Sequence, residues 1–332
     1  MSAADWMARL PQAVKDAPFF RLAIPGSHDS LSYSIRADAP LAPDCPDAVR
    51  ILERLFGPVT RSILFKWSVT QSLSLSEQLQ LGVRYLDLRL AMPAEPRGAA
   101  RGKETQPHVV HHLCGDEVGP LLADADAFLA AHPLEVLIVD LQHFYHFCSD
   151  DHQQLVNHLS GLFGDRLCPY WPGATQEISL SWMQAHGYQV VLVYRCEEVR
   201  GLRGVWPGEA LASPWPDVRK ARALLGFLER GLAARDRRCG HVAQCVLTPR
   251  TGTVLPAGLC SDLRSGLAAR CNKAVVPWLR ARRQQRDHLN VAIADFVDAA
   301  FVDAVLNLNC SNPAAAVELP KIADKPHADV YL

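Results

Sequence analysis

Short, continuous runs of Val, Leu and Ile recur along the chain, separated by longer segments in which apolar residues have helical spacing. Runs that are apolar at nearly every position are typical of strands covered on both faces. Seven runs are predicted to be strands: Phe19–Ile24, Val83–Leu90, His108–Leu113, Val136–Leu141, Gln189–Tyr194, Val242–Leu247 and Val291–Val297. Their alternation with helices predicts an α/β fold. The strand count favours a distorted TIM-like (β/α) barrel over a doubly wound open sheet.

Helical signals lie between these runs. The segment Ser74–Leu81 begins with a capping box, in which Ser74 and Glu77 satisfy each other's backbone amides, and it ends before Gly82. Three further segments are predicted to be helices: Leu121–His132, Val218–Leu232 and Leu263–Arg283. Since strand patterns resume after Trp206–Pro216, this Pro-rich stretch is interpreted as a long ordered loop, with a linker as the alternative.

The length and charge restrict the class of protein. The 332 residues are predicted to form a single domain, with a core at about 19–310 and a C-terminal tail at 311–332. The formal net charge of −1 argues against a nucleic-acid-binding protein, which needs a basic surplus. No apolar run approaches the ~20 residues of a membrane helix, and no secretion signal is recognised. We therefore expect a cytoplasmic or nuclear monomer with only peripheral membrane contact.

The ten cysteines also exclude some kinds of site. They are scattered through the chain, and no CxxC pair occurs among them. A zinc ribbon or thioredoxin-type site is therefore not expected. In a chain without a secretion signal, we interpret the cysteines as reduced thiols.

Polar side chains lie near the ends of most of the predicted strands or just after them, where barrel enzymes carry their chemistry. They are His28 and Asp29, Asp87 and Arg89, His111 and His112, Asp140 and Gln142, Arg195, and Asp295 and Asp298. Two imidazoles with carboxylate partners can act as general base and general acid near neutral pH. An arginine between them suits a phosphate, because its planar donors stabilise charge on the oxygens. The pattern indicates phosphodiester chemistry.

Several ordered segments resemble a known family. They are Leu22–Ser30 (LAIPGSHDS), Gln78–Leu90 (QLQLGVRYLDLRL), Val109–Leu113 (VVHHL) and Glu135–Phe144 (EVLIVDLQHF), together with Asp5–Pro11, Trp206–Pro216 and Gln244–Arg250. The chain resembles the X domain of phosphatidylinositol-specific phospholipase C over nearly its whole length. Within that superfamily, it is most similar to the X-domain-only proteins of animal cells. The resemblance implies a TIM-like barrel that cleaves the phosphodiester between diacylglycerol and inositol phosphate.

The resemblance also implies roles for the two histidines. His28 stands at the position of the general base, which takes the proton of the inositol 2-hydroxyl. His111 stands at the position of the general acid for the leaving diacylglycerol. Members of the family usually have His-Gly at this place, whereas this chain has two histidines in a row. His112 is therefore an alternative for the acid.

Two carboxylates are expected to support these histidines. Asp29 matches the carboxylate beside the second histidine in metal-independent members. Asp295 matches the partner of the first histidine. Asp298 is the competing choice for that partner, its other interpretation being a helix cap.

The same comparison bears on a metal. Calcium-dependent members have Asn after the first histidine, an acidic pair on the second strand and Glu on the fourth, which together supply the oxygen ligands that Ca²⁺ needs. This chain has Asp29, Arg89 and Gln142 at the three diagnostic places. We therefore expect no metal or other cofactor, Ca²⁺ being disfavoured, and Arg89 as the phosphate stabiliser. Asp87 then orients Arg89 or His28.

Substrate binding is expected from two further residues. Arg195 resembles a basic position that contacts the phosphate or the inositol ring, although an ion pair with Glu197 or Glu198 is equally open. Gln142 is expected to hydrogen-bond the ring.

The implied partner is a phosphatidylinositol-type lipid at a membrane surface. Trp206 and Trp215 could touch that surface, where tryptophan is favoured, or could belong to a packed loop. The alternative function is a catalytically weak phosphoinositide-binding or scaffold module. A glycerophosphodiesterase is disfavoured, because its His-Arg-Gly start and acidic metal ligands are missing.

Overall fold

A computed structural model describes residues 3–93, 105–249, 261–284 and 289–309. The proposed tail at 311–332 lies outside these residues. The strands are β1 (Ile24–Ser27), β2 (Tyr85–Ala91), β3 (His108–His111), β4 (Leu113–Glu117), β5 (Leu137–Tyr145), β6 (Val190–Tyr194), β7 (Val205–Pro207), β8 (Leu211–Ala212), β9 (Gly240–Cys245) and β10 (Val291–Ala294).

The α-helices in the described residues are α1 (Gln12–Lys15), α2 (Asp47–Ser68), α3 (Leu75–Leu81), α4 (Val118–Ala131), α5 (Ser149–Phe163), α6 (Ala174–Glu177), α7 (Leu180–His186), α8 (Ala221–Ala234), α9 (Ala269–Ala281) and α10 (Ala299–Leu306).

Eight of these strands are parallel, in the order β7-β6-β5-β2-β1-β10-β9-β8. The strands β3 and β4 form an antiparallel hairpin attached to β2. Among the described residues, β7 and β8 are not paired with each other, so the barrel is nearly closed. The predicted TIM-like barrel is therefore confirmed.

Some local predictions were wrong in their bounds. The run Phe19–Ile24 begins as a 3-10 turn, and β1 starts only at Ile24. The run His108–Leu113 is divided into β3 and β4 by His112, which has a positive φ of 61°. The stretch Trp206–Pro216 is ordered as predicted, but it contains the end of β7 and all of β8.

The helix α2 was not predicted. Its helical geometry is interrupted at Phe56 and Gly57, just before Pro58. This break in the apolar spacing hides a 22-residue element from a periodicity argument. By contrast, α3 has the predicted capping box at Ser74 and ends at Gly82, whose φ is 115°.

The core is divided into two layers by the alternation of side chains along each strand. One apolar cluster fills the barrel and includes Ile24, Tyr85, Ile138, Val191, Val242 and Ile293. The other lies between the barrel and its helices and includes Leu86, Val139, Leu192, Ala243 and Ala292. The inward-facing positions continue to the carboxyl ends of the strands. The residues at those last positions are polar, and they line the mouth of the barrel.

The packed interior of the barrel leaves no room for a side chain at Gly26. A Cβ at Gly26 would lie 2.8 Å from Cβ of Tyr85 and 2.9 Å from Cγ2 of Ile293. These contacts are closer than packed carbon atoms tolerate.

We expect Gly26→Ala to lower the free energy of unfolding by about 1–3 kcal/mol, because overpacking forces neighbouring side chains from their preferred rotamers. Gly161→Ala on α5 is the matched control, since a Cβ added at Gly161 would meet no atom within 4 Å. Chemical denaturation of both variants measures the difference. Equal stability of the two would contradict the packing argument.

Candidate active site

The mouth of the barrel collects residues from five parallel strands. His28 follows the inward positions Ile24 and Gly26, and Asp295 follows Ile293. Asp87 and Arg89 continue the series from Tyr85 on β2. The same alternation of side chains turns Asp140 and Gln142 of β5 inward, together with Arg195 just after β6. All the sequence-predicted site residues on these strands therefore lie at one end of the barrel.

His28 is the most heavily contacted of them. Its Nδ1 lies 2.7 Å from Oδ1 of Asp295, and its Nε2 lies 3.4 Å from Oδ2 of Asp29. The side chain is buried, with 4% of the residue exposed. Burial by itself lowers the pKa of His28, but the carboxylates of Asp29, Asp295 and Asp87 outweigh burial and raise it to about 9.

Arg89 links His28 to Asp29. Its Nε lies 2.9 Å from Oδ1 of Asp29, and its Nη2 lies 3.2 Å from Nε2 of His28. The second contact is a hydrogen bond only when His28 is neutral, because a guanidinium can only donate. Burial opposes ionisation of Asp29, yet Arg89 and His28 lower its pKa to about 2. Asp29 therefore stays a carboxylate across the physiological range.

Asp87 lies behind this group. Its Oδ2 accepts the backbone N–H of Asp29 at 3.1 Å and lies 3.9 Å from Nε2 of His28. Burial and the neighbouring Asp29 raise the pKa of Asp87 to about 6. Asp87 thus contacts His28, one of the two groups that the sequence offered it, and its charge also acts on the other, Arg89.

His111 faces His28 across the mouth, with ring centroids 6.2 Å apart. Its Nδ1 donates to the carbonyl oxygen of Ser68 at 2.6 Å, which leaves Nε2 for the mouth. That Nε2 lies 3.6 Å from Oδ2 of Asp29. Asp29 therefore lies within reach of both histidines.

His112 occupies the turn between β3 and β4. Its backbone N–H donates to Asp44, at 2.9 Å from Oδ1, and its ring stacks on that of His111 at 4.7 Å. Burial and the adjacent His111 lower the pKa of His112 to about 4. His112 is therefore a turn residue with a neutral ring, and it is His111 that has an ion-pair distance to Asp29.

A second polar group lies beside the first. Arg195 donates to both oxygens of Asp140, from Nε at 2.9 Å and from Nη2 at 2.7 Å. It also donates to the carbonyl oxygens of Gly208 and Leu211, at 3.2 and 2.7 Å. The alternative partners Glu197 and Glu198 are not the ones that the structure shows. Most donors of Arg195 are thus used within the protein.

Gln142 joins the same group. Its amide donates to Tyr85 at 3.1 Å and to Asp140 at 3.0 Å. Tyr85 in turn donates its hydroxyl to Asp140 at 2.9 Å. Gln142 is half-buried, so its carbonyl oxygen is its remaining polar atom for a ligand.

Two open choices are distinguished by these contacts. Asp298 is exposed and caps α10, accepting the N–H of Phe301 at 2.9 Å, whereas Asp295 contacts His28. Trp206 is fully buried, and its Nε1 donates to Cys168, so a membrane contact of Trp206 is wrong. Trp215 is 41% exposed and its ring lies 5.6 Å from that of His28.

Three supporting residues were not found from the sequence. Gln71 donates to the carbonyl oxygens of His28 and Ala294, at 2.9 and 2.8 Å, and so joins the ends of β1 and β10. Thr70 donates to the carbonyl of His28 at 2.8 Å. Asp44 holds the turn at His112. No pattern marks these isolated polar residues; only their contacts reveal them.

The donor set at the mouth does not fit Ca²⁺. In the described residues, His28, Asp29 and Asp87 can bring one ligand atom each within 4.8 Å of one another. However, the guanidinium of Arg89 lies against Asp29 and His28, so a cation would meet an existing positive charge. A calcium ion also needs six to eight oxygen ligands, and here one of three donors is an imidazole.

Comparison with known proteins gives several relatives. PI-PLC X domain-containing protein 3 of Mus musculus is 33% identical over 309 residues, which cover 92% of this chain and 93% of that protein. PI-PLC X domain-containing protein 2 of Mus musculus is 35% identical, and the match covers 92% of this chain and 87% of that protein. PI-PLC X domain-containing protein 1 of Danio rerio is 30% identical, and the match covers 88% of this chain and 91% of that protein. No family model matches the chain.

Solved structures show the same fold. The phosphatidylinositol-specific phospholipase C of Listeria monocytogenes matches with a TM-score of 0.64 and 17% identity, over 93% of this chain and 99% of that one. The enzyme of the same name from Staphylococcus aureus matches with a TM-score of 0.62, over 94% of this chain and 98% of that one. The fold and the identity to these relatives show that the chain belongs to the PI-PLC X domain-containing protein family.

Proposed function

We propose that this protein is a phosphoric diester hydrolase of the phospholipase C type that cleaves phosphatidylinositol lipids without a metal. The observation that carries the proposal is the pair of histidines facing each other at 6.2 Å, with Asp29 within reach of both rings. A barrel that only binds a headgroup has no need of two imidazoles arranged around one carboxylate. The scaffold or binding module is therefore the less favoured alternative.

In the proposed reaction, His28 accepts the proton of the inositol 2-hydroxyl through Nε2. Asp295 holds the other nitrogen, so it fixes the ring and stabilises the imidazolium that forms. The 2-oxygen attacks phosphorus, and the bond to the diacylglycerol oxygen breaks. His111 donates its Nε2 proton to that oxygen, and the products are diacylglycerol and a cyclic inositol phosphate.

Arg89 is proposed to stabilise the phosphoryl oxygens. Its pKa is raised, because Asp29 and Asp87 outweigh the effect of burial, so the guanidinium remains charged. Preorganised positive charge of this kind lowers the energy of a transition state in which negative charge builds up on phosphate oxygens. The same charge supports a reaction without Ca²⁺. Gln142, through its carbonyl oxygen, is proposed to contact the inositol ring.

The lipid substrate is proposed to be reached at a membrane surface by a monomer located in the cytoplasm or nucleus. No helix in the described ranges is long and apolar enough to cross a bilayer. Four large apolar side chains of α2, Ile51, Leu55, Phe56 and Val59, are between 53% and 68% exposed. With Trp215, they are five of the six exposed large apolar side chains in the described residues.

This apolar surface of α2 is connected to the mouth through the segment before the helix. Arg50 on α2 donates to the carbonyl oxygens of Ala42 and Cys45. Asp44, between them, holds the backbone of His112. The exposed side of α2 is therefore proposed to touch lipid while the mouth receives the headgroup.

We expect His28→Ala to lower turnover on phosphatidylinositol vesicles by about 10²–10⁴-fold, the typical contribution of a general base. Release of water-soluble inositol phosphate measures it, with excess EDTA and then with added Ca²⁺. Wild-type activity in EDTA is expected. Activity only with Ca²⁺ would contradict the role of Arg89, and inactivity in both conditions would favour the binding module.

The pH dependence is a second test. Because His28 must be neutral to accept a proton and its pKa is about 9, one break in the pH profile of kcat/KM should lie near that value. Asp295→Asn removes a carboxylate that favours the imidazolium, so this break should move to lower pH. Asp298→Asn, which can still cap α10, should leave the profile unchanged. An unchanged profile in Asp295→Asn would argue against His28 as the base.

The lipid-facing surface is tested by Leu55→Ser combined with Phe56→Ser. Both side chains are exposed, so we expect a normal fold but weaker binding to phosphatidylinositol vesicles in a sedimentation assay, since less apolar area enters the lipid. Leu134→Ser is the control, because Leu134 is 43% exposed and precedes β5 at the opposite end of the barrel. Equal loss in both variants would contradict the assignment of this surface.

A further inference from the structure

A second cluster of reactive groups lies outside the mouth, between β6 and α5. It consists of Cys196 and Tyr194 at the end of β6, His152 on α5, and the rings of Phe144 and Phe147, and we call it the outer thiol cluster. Tyr194 belongs to the apolar layer outside the barrel, whereas the neighbouring Arg195 is turned inward to Asp140. The cluster is therefore separate from the proposed catalytic residues.

The geometry of the cluster is that of a nucleophile, a base and a group that orients the base. The Sγ of Cys196 lies 3.6 Å from Nε2 of His152, which is within hydrogen-bond range for sulfur. The Nδ1 of the same ring lies 2.8 Å from the hydroxyl oxygen of Tyr194. This is the arrangement in which a histidine activates a cysteine, with Tyr194 in the place of the orienting third residue.

The imidazole is held firmly in this position. Phe144 and Phe147 each lie with their ring centroid 4.9 Å from that of His152, and Phe144 also stacks on Tyr194 at 4.5 Å. His152 is 6% exposed. A buried, packed ring cannot turn away from the thiol, so the contact with Cys196 persists.

Burial and nearby carboxylates act in opposite directions on the pKa of His152. Burial lowers the pKa of His152, so the ring is neutral and can accept a proton at neutral pH. The carboxylates of Asp151 and Glu198 face it and stabilise the imidazolium once formed. Because Nδ1–H can donate to the oxygen of Tyr194 both before and after the transfer, the hydrogen bond is kept throughout.

Partial exposure separates Cys196 from the buried thiols. Cys168, Cys245 and Cys271 are buried, and burial raises their pKa. Cys196 is partly exposed and so can meet a small reagent.

We propose that Cys196 is an activated thiol and a site of oxidation by hydrogen peroxide or a similar small hydroperoxide. His152 takes the thiol proton, and the thiolate sulfur attacks one peroxide oxygen. The O–O bond breaks, and the departing oxygen takes the proton back from the imidazolium to leave as water. Sulfur is oxidised by two electrons to the sulfenic acid, and the peroxide is reduced by the same two electrons.

The test measures each cysteine separately in the full-length wild-type protein. Alkylation by iodoacetamide and sulfenic acid trapping by dimedone after a peroxide pulse are followed by peptide mass spectrometry. Cys114 and Cys239 are matched controls, since both are partly exposed and burial raises their pKa. At neutral pH we expect Cys196 to react at least about tenfold faster than either control, as thiolate formation predicts.

Two variants connect this reactivity to the neighbouring groups. His152→Gln should reduce the rate at Cys196 to that of the controls. Tyr194→Phe keeps the ring stack and should give a smaller reduction, because only the orienting oxygen is lost. The wild-type pH–rate profile needs no variant and should be flatter for Cys196 than for the controls. A rate at Cys196 equal to the controls in the wild type, or unchanged in both folded variants, would overturn the proposal.

Discussion

The alternation of side chains in a nearly closed parallel sheet is the constraint on which the site depends. The interior of the barrel is filled by every second residue of each strand, from Ile24 and Tyr85 to Ile293. Because this series is fixed by packing, its next members at the carboxyl ends must also face inward. His28, Asp87, Arg89 and Asp295 converge for that reason. A shift of one strand by a single residue would turn its functional side chain into the helical layer.

Much of this arrangement could be predicted from the sequence, because strand runs and the residues that follow them are local patterns. The choice between Asp295 and Asp298 as the partner of His28 could not be predicted, since both follow the same strand. Only the path of the chain after β10 shows that Asp295 contacts His28 and that Asp298 caps α10. The pair at 111 and 112 was similarly ambiguous. In the structure His112 lies in a turn with a positive φ, a backbone property that two adjacent histidines do not reveal. The broken helix α2 was missed because a kink destroys the periodicity that marks a helix.

Buried charge sets the electrostatic character of the mouth. Three carboxylates, from Asp29, Asp87 and Asp295, surround the imidazole of His28 and the guanidinium of Arg89, and His111 lies on the other side of Asp29. Such an excess of negative charge is unfavourable in a buried site, and groups respond by changing their protonation. The pKa of His28 is raised to about 9 and that of Asp87 to about 6. The site therefore moves towards neutrality, with Asp29 remaining the charged acceptor between the two histidines.

Within the described ranges, the barrel is open where β7 and β8 lack a shared ladder, and Arg195 spans this place by binding Asp140 together with the carbonyl oxygens of Gly208 and Leu211. A seam without a strand ladder imposes no strand register on the segment beyond it. That segment carries Trp215, whose ring lies beside His28. Insertions or deletions between Ala212 and the next helix can therefore reshape the entrance during evolution while the frame of the barrel stays intact, so the shape of the mouth can vary independently of the residues that the strands bring to it.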